Sequence, residues 1–172
     1  SSRAIDFVRR NKEAPFFLHL AHYAPHRPID APVERVKPYL DQGLSEETAT
    51  VYAMIEIMDE GIGALLEELD KLGIAENTII IFASDNGPDP LVEKRFNNGL
   101  RGAKYEVHEG GIRVPIMVSW AGSCSPGESS APIHFADVFP TLVELCGLPG
   151  TSERGNKLDG VSFRNVLEGG GF

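Results

Sequence analysis

The stretch IIIFASDNG at residues 79–87 places an apolar, β-branched run directly before a polar turn. Its first part, Ile79–Ala83, contains no polar residue and is typical of a central strand that is covered on both faces. Asp85 and Asn86 follow at the carboxyl end of that strand, which is where α/β folds place their chemistry. The stretch therefore predicts a buried strand that delivers two oxygen-bearing side chains to the edge of a sheet.

Helical and strand-like segments alternate on both sides of this stretch, and this alternation predicts an α/β fold, a sheet flanked by helices. Before it we expect a helix at Ala4–Arg10, a buried strand at Phe16–Ala21, extended irregular chain through Pro38, and a long helix from the N-cap Ser45 to Gly73. After it we expect a loop to about Gly111, a strand at Ile112–Trp120 interrupted by Pro115, and a helix at Ile133–Cys146 ended by Gly147.

Composition excludes several classes of function. The 172 residues are 42% hydrophobic and 24% charged, with a formal net charge of −9. Nucleic acids and acidic membranes attract Lys and Arg, so we expect neither as a partner. The longest apolar runs are much shorter than the roughly 20 residues of a membrane-spanning helix. Two cysteines are too few for a disulfide framework. The sequence thus predicts a soluble domain.

Four polar residues are candidates for chemistry, and each has a plainer alternative. Asp85 and Asn86 offer hard oxygen ligands for Ca²⁺ or Mg²⁺, or else form an Asx-type turn before Gly87. His26 lies between prolines, where a stiff backbone can aim an imidazole into a cleft, or it is an exposed loop histidine. Lys104 follows a Gly-containing turn and suits a tetrahedral anion, or it is an ordinary surface lysine.

A second pair of charges has a structural interpretation. Glu109 and Arg113 are four residues apart on either side of two glycines. We expect them to brace their loop through an ion pair rather than to act on a substrate.

In order along the chain, Ala24-Pro25-His26, Ser84-Asp85-Asn86-Gly87, Gly102-Ala103-Lys104 and Glu109-Gly110-Gly111-Ile112-Arg113-Val114-Pro115 resemble the type I sulfatase family. The resemblance runs from about Ala4 to Leu167 and includes Asp137-Val138-Phe139-Pro140-Thr141-Leu142 and Leu158-Asp159-Gly160-Val161-Ser162. It implies an alkaline-phosphatase-like fold and hydrolysis of sulfate esters, of carbohydrates or aryl alcohols. It also implies a secreted, periplasmic or lysosomal protein.

By position in those motifs, Asp85 and Asn86 are expected to bind the metal, Ca²⁺ or alternatively Mg²⁺. His26 and Lys104 are expected to contact the sulfate and the leaving-group oxygen as catalytic and substrate-binding residues. The family's nucleophile is a formylglycine made from a Cys/Ser-x-Pro-x-Arg motif, which is absent from this chain. The near-match at Cys124-Ser125-Pro126-Gly127-Glu128 has Glu in place of Arg and is rejected. We expect the nucleophile in an upstream segment.

The sequence accordingly predicts a partial catalytic domain at residues 1–168, without its N-terminal strands and C-terminal subdomain, followed by a Gly-rich tail at 169–172. Uncovered surfaces on such a fragment favour self-association. The alternatives are a phosphatase, phosphonate hydrolase or phosphoethanolamine transferase of the same superfamily, or a non-catalytic module that retains the fold.

Overall fold

The computed structural model describes residues 2–92, 96–124, 126–149 and 157–170 of the chain. The helices and strands in this part follow one another along the sequence in this order: α1 Ser2–Asn11, α2 Val33–Leu40, α3 Glu46–Lys71, a 3₁₀ turn Ala75–Asn77, β1 Ile80–Ala83, α4 Glu109–Ile112, β2 Ile116–Ser119, α5 Phe135–Leu145 and α6 Arg164–Leu167.

The chain divides into two compact units. The first contains Ser1–Ala75 and Phe82–Met117, and the second contains Glu76–Ile81 and Val118–Phe172. Within the described residues no helix is both long and apolar enough to cross a membrane. The predicted boundary at residue 168 stays a prediction, and residues 171–172 of the predicted tail lie outside the described residues.

Helix α3 is the longest element of the first unit, and its ends follow the sequence prediction. The Ser45 hydroxyl caps the first turn by accepting from the Thr48 amide at 3.3 Å. At the other end Gly73 has φ +69°, a left-handed conformation that glycine adopts without cost. Local chemistry at the two ends therefore fixes the length of this helix.

Helix α2 corrects the expectation of irregular chain up to Pro38. Pro38 lies inside the helix, and the Val36 side chain is buried against Ala49 and Ala53 of α3. A short helix with an internal proline is stabilised by this packing, which local propensity does not reveal.

Helix α1 confirms the helix predicted at Ala4–Arg10 and is tied to α3 by charge. Arg9 donates two hydrogen bonds to the Glu68 carboxylate, from Nε at 2.7 Å and from Nη2 at 2.9 Å. These bonds hold the pKa of Glu68 below its usual range. Val8 is buried on the same helix. This bidentate contact fixes the register of α1 against α3.

The buried strand predicted at Phe16–Ala21 is wrong. The segment alternates between half-buried and exposed side chains, as an extended chain does, and Phe17 is 76% exposed. Among the described residues no backbone hydrogen bond joins residues 16–22 to another segment. A strand requires a paired neighbour, and none is present in the described part of the chain.

Strands β1 and β2 form a two-stranded sheet. Strand β1 confirms a strand in the run at residues 79–83, although its side chains are half-buried or exposed rather than fully buried. The strand predicted at Ile112–Trp120 begins only at Ile116, because Ile112 ends helix α4. Pro115 precedes β2, and its carbonyl group accepts from the Ser84 amide at 3.3 Å. The pairing thus continues to the start of the polar turn.

Helix α5 organises the second unit. His134 and Asp137 form a capping box: the His134 amide donates to Asp137 Oδ2 at 2.7 Å, and the Ala136 amide donates to His134 Nδ1 at 3.1 Å. Asp137 Oδ1 also accepts from the Val161 amide at 2.8 Å. A single buried carboxylate therefore joins the start of α5 to the segment before α6.

These two amide donors, from His134 and Val161, hold the pKa of Asp137 below its usual range. Asp137 therefore binds a proton more readily in the unfolded chain than in the folded one. The resulting stabilisation of the fold is complete above the unfolded pKa of about 3.9, and it is lost as the pH falls through the lower pKa of the folded chain.

Asp137→Asn leaves one of the buried amide donors without an acceptor, and we expect it to reduce the free energy of unfolding at neutral pH by about 1 to 3 kcal/mol. The difference from the native chain should shrink below about pH 4. Urea denaturation at several pH values measures both effects, with exposed Asp159→Asn as the control. An equal loss in the two variants would contradict the role of Asp137.

Candidate functional site

The predicted site residues all lie in the first unit, on three loops. His26 is on the loop after residues 16–22, Asp85 and Asn86 follow β1, and Lys104 lies on the loop before α4.

His26 is exposed on a loop that is fixed by its own hydrogen bonds. The Nδ1–H group of His26 donates to the carbonyl oxygen of Arg27 at 2.7 Å. The Tyr23 hydroxyl donates to the same carbonyl oxygen, and the Tyr23 ring meets the imidazole edge-on with centroids 5.8 Å apart. This arrangement uses Nδ1 and leaves Nε2 for another partner.

Asp85 and Asn86 lie side by side at the end of β1, and the Asn86 side-chain amide donates to Asp85 Oδ2. Among the described residues the Asp85 carboxylate accepts from the Asn86 side chain and from no backbone N–H group, so the Asx-type turn is not observed. The turn is held instead by the Ser84 hydroxyl, which donates to the Asn86 carbonyl at 3.0 Å. Asp85 therefore retains acceptor capacity for a ligand.

Lys104 is half-buried, with Nζ 5.6 Å from the centroid of the Tyr105 ring. Tyr105 is 78% exposed and has φ +78°, an uncommon conformation for a residue with a side chain. No carboxylate pairs with Lys104 among the described residues. The ammonium group of a half-buried lysine that has no carboxylate partner is suited to an anionic ligand.

Two contacts join these loops. Arg27 Nε lies 2.6 Å from Asp89 Oδ2, which connects the His26 loop to the segment that follows Asp85 and Asn86. The Lys104 amide donates to the Pro88 carbonyl at 2.8 Å, which connects the lysine loop to the same segment. The structure therefore links the three candidate loops through residues 88–89.

Three glycines bring backbone segments together behind the site. A Cβ atom on Gly87 would lie 1.9 Å from the carbonyl oxygen of Gly110. One on Gly110 would lie 2.2 Å from the Gly102 carbonyl oxygen, and one on Gly111 would lie 2.4 Å from that of Ala103. No real Cβ is accommodated at such distances. Glycine at these positions therefore lets the turn that follows β1, the Lys104 loop and α4 pack directly on one another.

The predicted ion pair between Glu109 and Arg113 is confirmed. Arg113 Nη1 lies 3.3 Å from Glu109 Oε1, across the single turn of α4. Both side chains are about 65% exposed, so the pair supports the turn only weakly.

The donor set fits part of a site for a hard divalent cation. Asp85 supplies a carboxylate and Asn86 an amide oxygen, the ligand types that Ca²⁺ and Mg²⁺ prefer. Ca²⁺ takes about six to eight oxygen ligands. Within the described residues no group of three or more His, Cys, Asp or Glu side chains is placed to hold a metal. In the described part of the chain, Asp85 and Asn86 could therefore supply only two ligands of such a set.

Sequence reasoning missed Arg27 and Asp89 as the link between loops, and Gly87 as a point of close backbone contact. The pair Gly110-Gly111 carried a detectable signal, because adjacent glycines often mark a close approach of backbone. The partners of these residues are distant in sequence, so only the structure reveals them.

Comparison with known proteins gives a consistent match. The sequence model of the family described as Sulfatase matches residues 2–148. The chain is 35% identical to "Uncharacterized sulfatase YdeN" of Escherichia coli over 98% of its own length and 30% of that protein. It is 36% identical to N-acetylgalactosamine-6-sulfatase of Homo sapiens over 95% of its own length and 31% of that protein. The chain thus spans about 30% of the length of these curated relatives.

A solved structure matches this chain as well. The crystal structure of Ps i-CgsB in complex with k-i-k-neocarrahexaose superposes with a TM-score of 0.87 at 32% identity, over 98% of this chain and 37% of that one. The predicted α/β, alkaline-phosphatase-like fold is confirmed by this match, for a chain that covers about a third of the solved protein.

Proposed function

Because the chain belongs to the sulfatase family, we propose that the protein which carries it is a sulfuric ester hydrolase, and that this chain supplies part of the sulfate and metal site. The observation that supports the proposal is the linkage of the His26, Asp85 and Lys104 loops through Asp89 and Pro88. Residues that are unremarkable one by one are attached to a common segment, as a shared site requires.

Lys104 and His26 are proposed to contact the sulfate group. A sulfuryl group in transfer spreads negative charge over its oxygens, and fixed cations and N–H donors stabilise that charge. Lys104 supplies a point charge whose backbone is anchored on Pro88. His26 can release a proton from Nε2 to the leaving oxygen while Nδ1–H remains bound to the Arg27 carbonyl. The imidazole then needs no rotation between the two protonation states.

Asp85 and Asn86 are proposed to hold one side of a divalent cation, Ca²⁺ or alternatively Mg²⁺. Such a cation, when bound, supplies positive charge to the sulfate oxygens. The remaining ligands and the formylglycine nucleophile are proposed to come from an upstream segment of the same protein. We accordingly expect this chain alone to hydrolyse no sulfate ester.

The proposed substrate class is a sulfated carbohydrate, with aryl sulfates as laboratory substrates. Relatives of this chain are named for N-acetylgalactosamine 6-sulfate, and a solved relative holds a carrahexaose. Rat steryl-sulfatase, 36% identical over 98% of this chain, shows that its relatives also include an enzyme named for steryl sulfates. The identity of the organic group that carries the sulfate is therefore proposed separately from the hydrolysis of a sulfate ester.

Calcium dependence tests the metal assignment. In the full-length protein with a matured nucleophile, removal of divalent cations with a chelator should abolish turnover of para-nitrophenyl sulfate, and added Ca²⁺ should restore it. Asp85→Ala removes one charged ligand, and we expect at least a tenfold higher Ca²⁺ concentration for half-maximal activity.

Asp70→Ala is the matched control, because Asp70 is exposed on α3 in the same unit. An unchanged Ca²⁺ requirement in Asp85→Ala would remove Asp85 from the metal site. Tight stoichiometric Ca²⁺ binding by the present chain alone would favour an independent metal-binding module over half of an enzyme site.

A further inference from the structure

Arg27 holds the His26 loop in place through both its backbone and its side chain. Its backbone carbonyl accepts from His26 Nδ1–H at 2.7 Å and from the Tyr23 hydroxyl. Its side chain reaches away from the loop, with Nε 2.6 Å from Asp89 Oδ2. A single residue therefore orients the imidazole and anchors it to the segment after β1.

Asp89 is itself fixed, so it is a rigid anchor for Arg27. Its Oδ1 atom accepts from the Leu91 amide at 2.9 Å, while Oδ2 faces Arg27. The Asp89 side chain is only 19% exposed, and the Arg27 side chain is 45% exposed. An ion pair at a partly buried carboxylate that also closes a turn holds its geometry better than an exposed pair on flexible side chains.

The direction of the His26 hydrogen bond has a chemical consequence. A carbonyl oxygen only accepts, so the imidazole nitrogen that faces it must carry the hydrogen. In the neutral ring Nδ1 is then the donor and Nε2 is the bare acceptor. The position of the Arg27 carbonyl therefore selects the tautomer of His26.

We propose that Arg27 and Asp89 are positioning residues for His26: their ion pair fixes the Arg27 backbone, whose carbonyl keeps hydrogen on Nδ1, so that Nε2 is the nitrogen that takes up a proton and releases it to the leaving oxygen. The catalytic consequence rests on the proposed sulfatase function, whereas the tautomer can be measured without it. Neither Arg27 nor Asp89 needs to touch the substrate.

The tautomer is measured on the present chain by nitrogen-15 NMR of its five histidines at a pH high enough to keep the imidazoles neutral. The His26 signals are assigned by comparison with His26→Gln. We expect the shift pattern of a ring with hydrogen on Nδ1. A pattern of hydrogen on Nε2 in the native chain would overturn the inference, whatever the variants do.

Asp89→Asn is the discriminating variant. An asparagine keeps an oxygen for the Leu91 amide but turns an N–H group toward Arg27 Nε, so a donor faces a donor. We expect His26 to shift toward a mixture of both tautomers. Asp41→Asn, which removes the exposed ion pair with Lys37 in the same unit, should leave His26 unchanged. Arg27→Met, which retains an apolar stem, should reproduce the shift if Asp89→Asn misfolds.

In the full-length enzyme the same substitutions should lower kcat by about ten- to a hundredfold with little change in KM, since they disturb the geometry of a proton-transferring group rather than substrate affinity. Equal effects of Asp89→Asn and Asp41→Asn on kcat would overturn the positioning role. Absence of any sulfate-ester hydrolysis in the native full-length protein would overturn the proposed function instead. The NMR measurement would still test the His26 tautomer independently of activity.

Discussion

Replacing Lys104 with alanine is expected to lower kcat/KM for an aryl sulfate by about a thousandfold in the full-length, matured protein, because it removes a fixed cation from the charge that develops on the sulfuryl oxygens. Lys104 is half-buried, and no carboxylate neutralises it among the described residues. Its backbone is tied to Pro88, beside the proposed metal ligands. These contacts are the reason for proposing Lys104 as a sulfate contact rather than an ordinary surface lysine.

Lys71→Ala is the control, because Lys71 forms an exposed ion pair with Glu67 on α3 in the same unit. It should change kcat/KM by less than about twofold. Thermal unfolding of both variants separates a catalytic from a structural effect, since the contact of Lys104 with the exposed Tyr105 ring contributes only about 0.5 to 1 kcal/mol. Similar activities of the two variants would remove Lys104 from the site.

The second large effect concerns Gly110. An alanine Cβ there would lie 2.2 Å from the Gly102 carbonyl oxygen and 2.7 Å from that of Arg101. Both are backbone atoms, and the Gly110 amide also donates to the Arg101 carbonyl at 2.7 Å. Relief of the clash would move α4 away from the Lys104 loop. We expect Gly110→Ala to reduce the free energy of unfolding by about 3 kcal/mol or more.

Gly63→Ala is the matched control for the same chemical change. Gly63 lies inside α3, and a Cβ added there meets nothing within 4 Å. Alanine should stabilise this helix by about 0.5 to 1 kcal/mol. Urea denaturation of the two variants gives the comparison. If Gly110→Ala were as stable as Gly63→Ala, the backbone packing behind the site would be refuted.

Parts of the fold with strong local chemistry were predictable from the sequence. The Ser45 cap and Gly73 set the limits of α3, and Gly147 follows α5 as expected. The apolar run before Asp85 correctly indicated a strand. In each case the signal resides in a few neighbouring residues.

Elements that depend on distant partners were predicted less well. Residues 16–21 have the composition of a strand, but strand formation requires a paired neighbour that the described part of the chain lacks. Helix α2 contains Pro38 and is stabilised through packing of Val36 against α3. Local propensity carries neither kind of information.

The candidate site also combines features that the local sequence indicates with contacts that it does not. The resemblance of four short motifs to a family predicts His26, Asp85, Asn86 and Lys104 as site residues, and these assignments stay predictions. The ion pair of Arg27 with Asp89, and the contact of Gly87 with Gly110, join segments that are far apart in the chain. A motif specifies which side chains are present, whereas these contacts specify how the loops that carry them are attached to one another.

The most direct test of the central claim is the ratio of kcat/KM values for para-nitrophenyl sulfate and para-nitrophenyl phosphate, measured on the full-length protein with a matured nucleophile. The family assignment predicts that the sulfate is the better substrate. Because Lys104 is proposed to place one positive charge on the sulfate group, Lys104→Ala should remove most of that activity. Preference for the phosphate, or turnover of the sulfate that is independent of Lys104, would contradict the claim that this chain forms the sulfate-binding part of a sulfatase.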